Sequence, residues 1–135
     1  MANRRDNRNV KNDILLTEWV KRLGLTDWRI ELQPCVTPNN MAVDEGDGCA
    51  SFVESTKTAV IQILDPLYYE QNLAIVPFDY EEILVHELLH LKLCLLSDNN
   101  DDFKSRYVHQ ILDDLARAFV SAKRYGLPQS DADTK

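Results

Sequence analysis

The chain's 135 residues suffice for one domain with a single core and are too few for separate catalytic and regulatory domains. A hydrophobic content of 44% beside 27% charged residues excludes a disordered or fibrous chain. The formal net charge of −7 would repel a phosphate backbone, which argues against a nucleic-acid partner, and no apolar run is long enough to cross a bilayer.

Residues 1–12 are polar, with a basic cluster of Arg4, Arg5, Arg8 and Lys11, and read as a solvated, flexible tail. The charged start lacks a following apolar stretch of the signal-peptide kind. The single domain is expected over residues 13–128. It opens with a helix over 13–23, where Ile14, Leu15, Trp19, Val20 and Leu23 recur at helical spacing and Gly24 follows as a left-handed cap. Residues 28–33 alternate apolar and polar and read as a strand. Residues 34–48 carry the turn formers of a long loop. Residues 49–54 and 58–64 form a hairpin whose second strand is well buried.

Asp65-Pro66 ends that strand, and residues 67–77 have no clear periodicity. Asp79, with Glu82 three positions on, announces a helix running to about residue 96. An acidic loop over 97–102 leads to a last helix over 103–125, and residues 129–135 are expected as a disordered tail. The fold class is therefore α+β: a small mixed or antiparallel sheet of about three strands, packed on an N-terminal helix, a buried central helix and a C-terminal helix. Cys35, Cys49 and Cys94 show no C-x-x-C spacing and sit beside apolar or small residues. They read as buried free thiols in a reducing, cytoplasmic setting.

The central helix is apolar on every side, as a helix inside a domain must be. Its polar residues His86, Glu87 and His90 fall within an arc of about 100° and project from one side. Histidines at i and i+4 can reach one tetrahedral zinc, while the glutamate beside the first is offset and touches the bound water without ligating the metal. Glu87 then fits the role of general base. Burying three such groups with neither metal nor partners would cost several kcal/mol.

A catalytic zinc needs a third protein ligand. The only further histidine is His109, on the border of the last helix's apolar face in a row with Asp113 and Ala116. An antiparallel return of that helix would bring His109 to His86 and His90. Asp113 is either a carboxylate that orients an imidazole or the third ligand itself. A partly exposed helix histidine is the plain alternative for His109, and Asp114 is expected to face solvent.

With the motif His-Glu-Leu-Leu-His-Leu on its helix, the chain resembles the minimal HExxH zincin metallopeptidases. It is most similar to the small gluzincin and SprT-like group of phages and Gram-positive bacteria, at the level of element order over residues 28–120. The resemblance implies hydrolysis of peptide bonds in a peptide or protein substrate. That substrate would be added as a strand beside residues 49–54, with a tyrosine at the oxyanion for which Tyr69, Tyr80 and Tyr107 are available. His109 stands where gluzincin-like relatives present glutamate, and the His-Gly…Pro-aromatic pattern of the SprT-like group and the extended metzincin motif are absent. Two other readings remain. A zinc-stabilised regulatory or binding module would close the site with Asp98, Asp101 or Asp113. A metal-dependent nuclease of the rRNA-maturation type would need a third histidine where Leu96 stands.

Overall fold

The computed structural model describes residues 3–42, 46–71, 77–94 and 102–126. Helix α1 (Asn3–Arg22) starts well before residue 13. The segment contains no glycine or proline, so once its later half docks on the core nothing stops the helix from propagating outward through the polar residues expected as a tail. Its end is a Schellman motif around Gly24 at φ 69°: Leu25 N–H donates to Val20 O (2.8 Å) and Gly24 N–H to Lys21 O (3.3 Å), while the Leu25 side chain is buried.

Strand β1 (Arg29–Val36) extends through Pro34, which lacks the N–H a ladder requires. The pairing register breaks between Gln33 and Val36 to accommodate it, at a sheet edge. After a 3-10 turn (Pro38–Asn40), β2 (Gly48–Val53) and β3 (Thr58–Leu64) form the expected hairpin, closed by Lys57 in the left-handed region at φ 52°. The sheet order is β1-β3-β2, with β1 parallel and β2 antiparallel to the central β3. The expectation of an α+β fold with a mixed or antiparallel sheet of about three strands is thus borne out, and the sheet is mixed.

On the outer face, the Gln62 amide accepts from Ala42 N–H (2.8 Å) and donates to Asn40 O (3.0 Å) and Gln33 Oε1 (2.8 Å). This holds the β1–β2 connection against the sheet. The inner face of β3, Ala59, Ile61 and Ile63, is buried under α3 (Tyr80–Lys92). On its other side α3 packs against α4 (Asp102–Tyr125) through Leu112, Ala116 and Val120. A helix enclosed between a sheet and another helix must be apolar on both flanks, which accounts for its composition.

Helix α2 (Pro66–Gln71) occupies part of the segment that lacked clear periodicity, and the Asp65 carboxylate accepts from Leu67 N–H (3.0 Å) at its start. Helix α3 begins as expected, with Asp79 Oδ1 accepting from Glu82 N–H (3.1 Å), and ends at Lys92, before residue 96. The loop expected from residue 97 and the tail over 129–135 lie outside the described residues.

A polar cluster fixes the far ends of the helices. Buried Glu81 accepts from Trp19 Nε1 (2.7 Å), from Lys123 and from Arg124 (3.3 Å), while Lys123 also reaches Glu18 (2.9 Å). Arg124 makes a forked pair with Asp79 at 2.7 and 2.9 Å. None of the three cysteines forms a disulfide, and only Cys49 is buried; Cys94 is half-buried and Cys35 is exposed on edge strand β1, which corrects the expectation of three buried thiols. No helix among the described residues is long and apolar enough to cross a membrane.

Candidate metal centre

The His-Glu-Leu-Leu-His segment occupies the middle of α3, so His86 and His90 lie one helical turn apart, with ring centroids separated by 5.0 Å. Helix α4 returns against α3 and carries His109 into the same place, 5.7 Å from the His86 ring and 4.9 Å from the His90 ring. One ligand nitrogen from each of the three histidines falls within 4.8 Å of the others. His86 and His90 are half-buried and His109 is exposed, so the cluster opens on one side.

The residues around the cluster suit a cation. Burial and the neighbouring histidines push His90 down to about 4, and burial also lowers His86, so both rings offer neutral lone pairs. His86 Nδ1 is buried, and Asp113 Oδ1 stands 2.7 Å from it. Three converging imidazoles, of which those of His86 and His90 are held neutral by burial, fit a divalent transition metal. Asp113 is not among the clustered ligand atoms and stands against His86, which places it beside a candidate ligand.

Glu87 is only 6% exposed, and the neutral His90 ring brings its Nε2 to 3.9 Å from Glu87 Oε1. Burial, with Asp113 and Asp47 nearby, pushes its carboxyl up to about 8. Such a group can take and return a proton near neutral pH.

The cluster opens into a cleft of about 720 Å³. Ile83, His86, Glu87 and His90 of α3 form its floor, His109, Asp113 and Arg117 of α4 one wall, and Asp47 to Ala50 at the start of edge strand β2 the other. The sequence passed over Asp47, which sits in turn-forming composition and looks like loop chemistry. Though exposed at the mouth, it loses enough water on its inner side that burial, reinforced by Asp113, raises its carboxyl. Of the three candidate tyrosines only Tyr69 lines the cleft; Tyr80 turns its hydroxyl into the interior and Tyr107 is exposed outside the lining. Asp114 is exposed and pairs with Arg117 at 3.5 Å, as a solvent-facing residue should. Asp98, Asp101 and Leu96 lie outside the described residues.

No family model, no curated protein and no solved structure matches this chain.

Proposed function

We propose that this chain is a zinc-dependent metallopeptidase of the HExxH zincin type, with Glu87 as its general base. The observation that carries the reading is the convergence of His86, His90 and His109 within 4.8 Å beside the buried Glu87 carboxylate at the floor of an open cleft. A purely structural metal site has no use for a carboxylate held next to the first ligand.

His86, His90 and His109 would hold the metal, with Asp113 orienting the His86 ring. A zinc ion there would lower the pKa of a bound water to about 7 and polarise a substrate carbonyl. Glu87 takes the proton of the attacking water and passes it to the leaving amine, a task that suits a carboxyl raised by burial toward neutral pH. The Tyr69 hydroxyl, on the cleft wall, is the candidate donor to the developing oxyanion. A peptide substrate fits along the unpaired edge of β2, whose backbone groups give affinity with little demand on side chains. Cysteines held outside any disulfide support a cytoplasmic setting, and the acidic balance supports a peptide partner over nucleic acid.

The test is the pair Glu87→Gln and His109→Ala, assayed for zinc content and for cleavage of a peptide library. Glu87→Gln is expected to keep about one zinc and lose turnover, and His109→Ala to lose zinc. Full activity in Glu87→Gln would overturn the reading.

A further inference from the structure

Glu87 faces a bare α-carbon across the cleft. In the β2–β3 register Gly48 pairs with Ile63 and Ala50 with Ile61, so Gly48, Ala50 and Phe52 share the face of β2 that looks onto α3. Side-chain size on this face grows along the strand from nothing to a methyl to a ring, and the smallest member lies over Glu87. A Cβ placed on Gly48 would stand 2.8 Å from Glu87 Oε2, 3.1 Å from Glu87 Cγ and 2.9 Å from Ile83 Cγ2. These separations are inside van der Waals contact, so strand and helix approach this closely only because position 48 has no side chain. Nor is Gly48 among the glycines with positive φ, so the requirement is for space and not for backbone freedom.

We infer that Gly48 is a positioning residue for Glu87: the bare strand backbone clamps the carboxylate against α3 and keeps it beside the histidines without letting it turn onto them. The physical reason is the cheapest escape from a clash. Ile83 is a branched side chain on a packed helix, whereas the Glu87 carboxylate ends a flexible chain, so any side chain at position 48 moves the carboxylate first. Its way out is toward the cleft, where His90 Nε2 is already 3.9 Å away. A carboxylate displaced there occupies the position that an attacking water needs. The inference rests on the proposed role of Glu87.

The test combines Gly48→Ala with Glu87→Ala and uses two readouts that need no substrate. In the metal-free protein, Gly48→Ala is expected to lower the Tm, and to lower it less when Glu87 has been shortened to alanine. With cobalt(II) as the probe metal, Gly48→Ala is expected to change the visible absorption, through entry of the carboxylate, while Gly48→Ala/Glu87→Ala matches Glu87→Ala alone. Equal Tm losses in both backgrounds, or a cobalt spectrum indifferent to Gly48→Ala, overturn the inference. If Gly48→Ala does not fold, adding Ile83→Ala removes the 2.9 Å contact and leaves the Glu87 contact to be measured. If cobalt does not bind the wild type, the metal reading fails and the Tm comparison decides this one alone. Where a peptide is cleaved, Gly48→Ala should lower kcat by about 10²-fold with KM nearly unchanged. Turnover surviving in Glu87→Gln would overturn the base assignment and leave the positioning result standing.

Discussion

His90 on α3 and His109 on α4 present their rings to each other at 4.9 Å, so the candidate metal centre spans the packing interface of the two helices. A ligand that bridges them binds the folded protein and not the unfolded chain. Zinc at about 100 times its Kd is therefore expected to stabilise the wild type by about 2.7 kcal/mol, and His109→Ala to abolish most of that gain. Calorimetric melting with and without zinc measures both.

Asp113 stands 2.7 Å from His86 Nδ1, with its side chain 60% exposed. Its replacement by asparagine keeps the shape and removes the charge, so the fold should be unaffected. Metal affinity should fall roughly 10–100-fold, as when a carboxylate orienting a ligating imidazole is lost. Isothermal titration with zinc at fixed pH gives the ratio. A complete loss of binding would make Asp113 a ligand in its own right.

The site also predicts a pH dependence for the metal-free protein. His90, lowered from 6.5 to about 4, binds fewer protons folded than unfolded, so its contribution to stability rises with pH between those values. Glu87, raised from 4.5 to about 8, keeps when folded a proton that the unfolded chain has lost, so its contribution falls with pH across that range. The two oppose each other up to about pH 6.5, and above it the Glu87 slope continues without the opposing one of His90. Urea unfolding of the metal-free wild type should therefore show stability declining from pH 6.5 to 8, and Glu87→Gln should flatten the decline.

Far from the site, Glu81 accepts from Trp19, Lys123 and Arg124 while almost fully buried. Glu81→Ala leaves the buried indole N–H without its acceptor and removes one of the two carboxylates that Lys123 contacts, Glu18 being the other. The expected loss is about 1–3 kcal/mol, read as a lower midpoint in denaturant with zinc binding retained. An unchanged midpoint would mean that water replaces the carboxylate at no cost.

Much of this was legible in local chemistry. The alternation in β1 and β3, the glycine cap after α1 and the Asp79 cap of α3 are signals over a few residues, set by backbone sterics and hydrogen bonding. The His86–Glu87–His90 row is of the same kind, because helical geometry alone puts i and i+4 on one face. The start of α1 ahead of residue 13 is not legible in this way, because polar composition hides a helix whose later turns are docked.

The sequence by itself determined the α3 row, its enclosure among apolar residues and the choice of His109 as the remaining histidine. Only the tertiary structure decided the rest: that α4 returns close enough to bring His109 to His86 and His90, that Tyr69 and not Tyr80 or Tyr107 lines the cleft, and that a Cβ on Gly48 would stand 2.8 Å from Glu87 Oε2. These are contacts between elements far apart in the chain. They are fixed by how closely a strand and two helices pack, and no periodicity within one element carries that distance.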